Sequence, residues 1–221
     1  MFFEIFTIWL TLFTLLFTFL PILTVLDWKR RGTADGFSSV NFVLPMLIQS
    51  FWLRHALMRD DTTIILINSV NLIVNGLYLA AFAYYQPKRK YLIGQLISAG
   101  LIVKLAFMYV GIFEEDKIVD AMGSVAAGAQ IFSLGGGFYE IKRVISLGTT
   151  EYVPAKIQFS LFVLMFQWLI FAVVQDNNSM AIASTATLLV NITTISLYFF
   201  YPPLTWTVPI FNIQPQDKKN E

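Results

Sequence analysis

The chain has 221 residues, of which 57% are hydrophobic and only 13% charged, and its formal net charge is +1. A soluble domain of this size is about half apolar and about a quarter charged, so the shortage of charge indicates a membrane protein. The balanced charge gives no reason to expect nucleic acid as a partner. Cysteine is absent and His55 is the only histidine, which excludes disulfides, thiolate chemistry and a cysteine- or histidine-based metal site.

Apolar stretches long enough to cross a hydrocarbon core of about 30 Å follow one another along the chain. The first lacks the basic start and the small-residue cleavage site of a signal peptide, so we interpret it as a span. Pro21 lies near its end and should kink the helix, because proline has no N–H to donate. The predicted spans cover residues 5–26, 41–57, 62–85, 91–113, 121–139, 157–174 and 180–201.

Two polar features inside these spans have alternative interpretations. Thr7, Thr11, Thr14 and Thr18 recur at helical spacing in the first span. Such a hydroxyl stripe serves helix packing or lines an aqueous path, and the sequence leaves both open. Lys104 lies in the middle of the fourth span, where a charge is a functional candidate by default. We favour a lysine that extends its stem toward a polar environment.

Charge in the connecting loops alternates in sign. Residues 27–40 are predicted to form a polar, basic loop, and basic residues also follow the third and fifth spans, whereas the loops after the second and fourth spans are acidic. The positive-inside bias then places the C-terminus in the cytosol and the N-terminus outside the cell or in a lumen. The tail is expected to be disordered beyond about Phe211.

An internal repeat organises the chain. Residues 52–75 recur at residues 168–191 with a constant offset of 116, which pairs Trp52 with Trp168 and Asn75 with Asn191. Aliphatic matches are expected between any two membrane segments, but a tryptophan, an aspartate and an asparagine held in one register are not. The pattern indicates an internal duplication.

The duplication predicts the fold class, an all-α membrane protein with seven transmembrane helices. Two parallel three-helix-bundle repeats, residues 1–90 and 117–203, are joined by a linker transmembrane helix over residues 91–116, and residues 204–221 form a cytosolic tail. A single linker span gives both repeats the same orientation, so they should relate by an axis along the membrane normal. A ligand site is then expected at their interface near the middle of the membrane.

Several motifs carry a resemblance to a known family. They are Gly36–Val40, Trp52, Asn68, the segment from Tyr84 to Arg89, the segment from Thr149 to Pro154, Trp168, and Tyr201-Pro202. On these residues the chain resembles the SWEET sugar transporters of the MtN3/saliva type, as an animal-like member, over essentially its whole length. The resemblance implies a facilitative, bidirectional carrier of mono- and disaccharides.

The resemblance also implies the site residues. Family members bind sugar with an asparagine and a tryptophan from each half. Asn68, Trp52 and Trp168 match three of these positions, and Ser184 stands where the second asparagine is expected. Asparagine and serine both donate and accept hydrogen bonds, as sugar hydroxyls require. There are competing interpretations if the repeat is left aside. Asn68 then forms an interhelical hydrogen bond, and the tryptophans belong to an aromatic belt at the membrane interface.

A set of four helix-kinking prolines is a further property of the family. Pro21 and Pro154 match two of these positions, whereas Asn41 and Gly137 occupy the other two. Pro45 lies one turn beyond Asn41 and is a candidate substitute for the missing proline. We expect these five residues to act as helix kinks or hinges.

Within the predicted spans there is no carboxylate, so the sequence predicts a uniporter without proton or sodium coupling. Its partners are a small neutral sugar and the lipid bilayer, with the plasma membrane or the Golgi membrane as location, and a homo- or hetero-oligomer is compatible with the sequence. The chain shows no nucleophile–base pair or histidine cluster, so we expect neither enzymatic activity nor a cofactor. A seven-span carrier of another solute, such as an amino acid, and a seven-span receptor are the alternatives.

Overall fold

A computed structural model describes residues 2–86 and 89–216, and these residues are almost entirely helical. Within them the only strand-like pairing is an isolated antiparallel bridge between Val208 and Ile213. The helices are α1 Phe2–Phe19, α2 Ile22–Arg31, α3 Val40–Met58, α4 Thr62–Tyr85, α5 Lys90–Val110, α6 Ile118–Ser133, α7 Gly135–Leu147, α8 Ala155–Val174 and α9 Asn178–Phe200. The predicted all-α fold class is confirmed.

The described helices include six segments that are long and apolar enough to cross a membrane: Phe2–Arg31, Thr62–Tyr85, Lys90–Val110, Ile118–Leu147, Ala155–Val174 and Asn178–Phe200. Helix α3 is of similar length, but Gln49, Arg54 and His55 lower its mean hydropathy. With α3 as the second span, the seven predicted spans correspond to seven helical segments, two of which are broken.

The first and fifth spans are longer than predicted. Pro21 interrupts the first span between α1 and α2, but helical structure resumes and continues to Arg31. The prediction that a polar loop begins at Asp27 is therefore wrong, and the loop begins at Gly32. The fifth span breaks at Leu134 and continues to Leu147, well past the predicted end at Tyr139. Polar residues at the ends of both helices hid these extra turns in the sequence.

The 116-residue offset recurs in the backbone. Asp60 and Asp176 have φ angles of 52° and 48°, in the left-handed region. The residue that follows caps the next helix, since Asp61 accepts from the Ile64 N–H at 3.0 Å and Asn177 from the Met180 N–H at 3.1 Å. Carboxylate and amide oxygens at a helix N-cap satisfy an otherwise unpaired backbone donor. An aspartate followed by an aspartate or an asparagine thus forms the same turn in both copies.

The chain divides into two compact units, one ending at Ala129 and one beginning at Gln130. In the first unit, Trp28 is fully buried and makes edge-to-face contacts with Phe37, Phe42 and Phe82 at 5.4–5.7 Å between ring centroids. Geometry of this kind is preferred by aromatic pairs. This cluster fixes α2, α3 and α4 at one end of the first unit.

In the second unit, fully buried Tyr198 occupies the position that matches Phe82, and it packs with Val144 and Val153. Residues after α9 join this core. Val208 is fully buried, and the Gln216 amide donates to the Gly148 carbonyl at 2.8 Å. The expectation of disorder beyond Phe211 is therefore wrong as far as Gln216, because these residues pack against the second unit. The rest of the predicted tail, residues 217–221, lies outside the described part.

Candidate functional site

Helix α4 buries a row of amides. Asn68, Asn71 and Asn75 are spaced three and four residues apart, so they lie on one face of the helix, and each is less than a tenth exposed. A buried amide without partners costs about 1–3 kcal/mol. The hydrogen-bond partners of each amide therefore indicate whether it serves helix packing or is available to a ligand.

Asn68 keeps most of its hydrogen-bonding capacity. Its Nδ2 donates to the carbonyl of Ile64 on the same helix at 2.9 Å, and among the described residues this is the only hydrogen bond of its side chain. One N–H and the Oδ1 acceptor are left uncommitted. A side-chain amide 7% exposed with both a donor and an acceptor to offer suits a ligand rich in hydroxyl groups.

Asn71 and Asn75 are committed to packing. The Thr18 hydroxyl donates to Asn71 Oδ1 across α1 and α4, and the Tyr78 hydroxyl donates to the Thr18 carbonyl at 3.1 Å. Asn75 donates to Gln49 Oε1 on α3 at 3.3 Å. Asn75 is thus an interhelical contact, and the Thr18 bond favours packing over an aqueous path for the threonine stripe at Thr18.

Helix α9 repeats this row in the second unit. Ser184, Thr187, Asn191 and Thr194 stand at the positions that match Asn68, Asn71, Asn75 and Tyr78, and Ser184 is 3% exposed. The Ser184 hydroxyl makes no hydrogen bond within the described ranges, so it is uncommitted like the Asn68 acceptor. Sequence reasoning predicted both residues as substrate contacts, and both are buried polar groups with free capacity.

The rest of the α9 row is committed to packing, as in α4. Gln130 of α6 donates to the Thr187 hydroxyl at 3.2 Å, which parallels the Thr18–Asn71 bond of the first unit. Asn191 donates to Gln158 Oε1 on α8 at 2.8 Å. In both rows, the first residue, Asn68 or Ser184, makes no hydrogen bond to another helix within the described ranges, whereas the next two residues along the helix each do.

Each of the two predicted tryptophans packs on the aromatic ring three residues later in its own helix. Trp52 of α3 packs edge to face on His55 with ring centroids 5.8 Å apart, and Trp168 of α8 packs in the same way on Phe171 at 5.6 Å. Trp52 is 6% exposed and Trp168 is half-buried. His55 is itself buried in the last turn of α3, with its Nδ1 3.2 Å from the Val119 carbonyl.

The five predicted kink residues occupy different kinds of position. Pro21 lies at the break between α1 and α2, whereas Pro45 lies inside the continuous helix α3 and Asn41 is exposed in the first turn of α3. Pro154 directly precedes α8. Gly137 lies in the first turn of α7, where a Cβ would stand 2.7 Å from Val190 Cγ1 of α9. A close approach of two helices thus accounts for this glycine, and the hinge role of all five stays a prediction.

The expectation that no carboxylate lies within a span needs correction. Because α2 and α7 extend the first and fifth spans, Asp27 and Glu140 are helical, and Asp120 lies in the first turn of α6. Asp27 pairs with Arg30 at 2.6 Å and Glu140 with Arg143 at 3.7 Å. In the described part of the chain, no group of three or more acidic or histidine side chains is arranged to hold a metal ion.

A family model described as "Sugar efflux transporter for intercellular exchange", of the MtN3/saliva type, matches residues 4–90 and 120–205. The chain belongs to this family, the SWEET transporters. The two matched segments correspond to the two repeats, and residues 91–119 between them contain α5. The predicted arrangement of three helices, a linker helix and three helices is thereby confirmed for this SWEET protein, which is a multi-pass membrane protein.

Individual relatives are distant. A rice (Oryza sativa subsp. japonica) protein, "Bidirectional sugar transporter SWEET13", is 21% identical over 82% of this chain and 63% of its own length. "Sugar transporter SWEET1" of Drosophila pseudoobscura pseudoobscura is 19% identical over 81% of this chain and 80% of its own. The chain spans slightly under two thirds of the length of the first plant relatives that it matches.

A solved structure of a eukaryotic SWEET transporter has the same fold. It aligns with a TM-score of 0.79 and 16% identity, over 90% of this chain and 95% of that one. At this identity the likeness concerns the fold alone. The side-chain roles in the present chain therefore depend on its own contacts.

Sequence reasoning missed the packing partners of the polar rows. Thr18, Gln49, Gln130 and Gln158 each contact a row residue from another helix. The sequence shows the threonine stripe, but it does not show that Thr18 binds Asn71. A glutamine in an otherwise apolar span is the signal that points to such a partner, since it must find a hydrogen bond in the membrane.

Proposed function

We propose that this protein is a facilitative, bidirectional uniporter that moves mono- or disaccharides down their gradient by alternating access. The observation that carries the proposal is the uncommitted amide of Asn68, buried in an apolar helix of a chain whose family consists of sugar transporters. In a membrane such an amide requires a partner. A transported sugar, or water in its absence, supplies one.

In this proposal Asn68 and Ser184 hydrogen-bond the sugar hydroxyls, and Trp52 and Trp168 flank the sugar ring. Serine offers one donor and the acceptor sites of one oxygen, whereas an asparagine amide presents a donor and an acceptor side by side. The site thus has one strong and one weaker polar contact. The edge-to-face packing of each tryptophan on a neighbouring ring restricts its rotation, which supports a fixed aromatic wall.

Transport by uniport fits the positions of the charged groups. Asp27 and Glu140 are paired with arginines of the same helix, and Asp120 lies at a helix start. None of them belongs to the α4 or α9 rows. We propose a cytosolic C-terminus and residence in the plasma membrane or the Golgi membrane, on the positive-inside bias and the family relationship.

The experiment that tests the proposal is sugar uptake by cells that lack their own sugar transporters. We expect uptake of a labelled mono- or disaccharide, and a loss of at least about tenfold in Asn68→Ala, because a hydrogen bond to the sugar is removed. Asn75→Ala is the matched control, because Asn75 lies two turns along the same face but binds Gln49. It should lower the amount of folded protein more than the uptake per folded molecule.

The result separates the two parts of the proposal. Uptake that is unchanged in Asn68→Ala rejects the assigned contact and leaves the transport activity standing. No uptake of any sugar by folded, surface-localised protein rejects the activity. Accumulation of sugar against its gradient under an imposed pH difference rejects uniport.

A further inference from the structure

A groove runs between α3 and α5 in the first unit, and we call it the α3–α5 groove. It has a volume of about 430 Å³ and is lined by residues of both helices, from Lys90 at one end to Ile102 at the other. Its size falls within the range of small-molecule pockets, roughly 300–1,000 Å³. None of the residues assigned to sugar transport lines it.

Most of the groove is apolar. Leu44 and Leu47 of α3 face Ile102 of α5, and Gly94 contributes no side chain. A Cβ built on Gly94 would have no atom within 4 Å, so the glycine leaves open space. Helix α5 has only two buried residues, Leu92 and Val110, and most of its other apolar side chains are exposed, as lipid-facing residues are. An alkyl chain is the chemistry that such a groove accommodates.

The end of the groove at Lys90 is polar and offers hydrogen-bond donors. Lys90 begins α5 and carries a positive charge, with Arg89 directly before it. Gln95 accepts from the Ser39 hydroxyl through its Oε1, and within the described ranges its amide N–H groups have no acceptor. No acidic residue lines the groove. An ammonium and an amide donor together select an anionic acceptor such as a phosphate.

We propose that the α3–α5 groove is a binding site for an anionic phospholipid. One acyl chain lies between α3 and α5 along Leu44 and Leu47, and the phosphate binds Lys90 and the Gln95 amide. Asp35 lines a neighbouring polar cavity that shares Gln95. Its carboxylate keeps the negatively charged head group on the Lys90 side. The proposal does not depend on which sugar is carried.

The test uses the full-length protein in bilayers that contain phosphatidylglycerol and phosphatidylcholine with identical chains. Native mass spectrometry, after the protein is released from the bilayer, counts the lipid molecules that stay bound to it. We expect enrichment of phosphatidylglycerol and a loss of about fivefold in Lys90→Gln, the effect of one cation near an anionic lipid. Lys104→Gln is the matched control, since Lys104 lies on the same helix, is exposed and does not line the groove.

A second pair of variants tests the acyl chain. Gly94→Leu should fill the groove and abolish retention of both lipids, whereas Gly100→Leu, at another open glycine of α5 outside the groove, should not. Equal effects of Lys90→Gln and Lys104→Gln, or of the two glycine variants, overturn the proposal. Loss of a dimer instead of loss of lipid in Gly94→Leu also overturns it, because a second copy of the chain then occupies the groove.

Discussion

In the first repeat the turn between α3 and α4 places Asp60 in the left-handed region, and Asp61 caps α4. In the second repeat Asp176 and Asn177 do the same between α8 and α9. The rows that follow differ: α4 carries Asn68 and Asn71 where α9 carries Ser184 and Thr187. The comparison teaches that both copies form the same turn and the same helix cap, whereas the first two polar side chains that follow along each helix differ between them.

The ends of the two repeats differ as well. In both copies a threonine hydroxyl accepts from the backbone N–H two residues later, Thr33 from Asp35 at 3.1 Å and Thr149 from Glu151 at 3.2 Å. The Glu151 carboxylate then accepts from the backbone N–H groups of Leu204 and Thr205 in the tail. The Asp35 carboxylate accepts no hydrogen bond from the residues that the structure describes. One loop was thus adapted to hold the tail.

The largest effect is expected where the second repeat needs a glycine and the first has a proline. Gly137 stands 116 residues after Pro21, and a side chain there meets Val190. Gly137→Leu should destabilise the protein by about 1–3 kcal/mol, because overpacking forces α7 and α9 apart. Thermal unfolding in detergent measures this loss.

Gly135→Leu is the control for Gly137→Leu, since both positions lie in the first turn of α7 and a Cβ at Gly135 has open space. The gain in helix propensity is the same for both variants. Equal midpoints of unfolding would show that the contact with Val190 does not require glycine.

A smaller effect is expected from making the two rows alike. Ser184→Asn restores the amide that the family pattern expects, and it should tighten sugar binding about three- to tenfold, the contribution of roughly one further hydrogen bond. Thr187→Asn makes the next position alike but disturbs the bond from Gln130, so it should not improve binding. Concentration dependence of uptake measures both. Weaker binding in Ser184→Asn would mean that the pocket is fitted to the smaller side chain.

Much of the fold was predictable. Hydrophobicity reveals the membrane-spanning helices, and the 116-residue offset shows that the first three recur in the same order. The bounds of α4, Thr62 to Tyr85, agree with the prediction. The free hydrogen-bonding capacity of Asn68 was not predictable from the sequence. It arises because Thr18 binds Asn71 and Gln49 binds Asn75, and neither binds Asn68. The extension of α7 past Tyr139 was not predicted, because the charged residues Glu140, Lys142 and Arg143 are typical of a loop between spans.

The smallest effect concerns the tail and depends on pH. Hydrogen bonds from the Thr205 hydroxyl and from the backbone of Thr205 and Leu204 hold the pKa of the Glu151 carboxyl below its usual value. The ionised carboxylate stabilises the docked tail fully when the pH is above the pKa that Glu151 has in the undocked state. This stabilisation is lost as the pH falls through the lower pKa of the docked state. Tail docking should therefore persist at neutral pH and weaken only under acidic conditions.

Amide hydrogen exchange at Leu204 and Thr205 measures the docking. We expect severalfold faster exchange in Glu151→Gln at neutral pH, with no further acceleration on acidification, because the amide side chain does not titrate. Asp35→Asn is the matched variant in the first repeat and should leave exchange in the tail unchanged. If exchange in Glu151→Gln is no faster than in Asp35→Asn, the tail is held by the apolar packing of Val208 and Trp206 and not by the carboxylate.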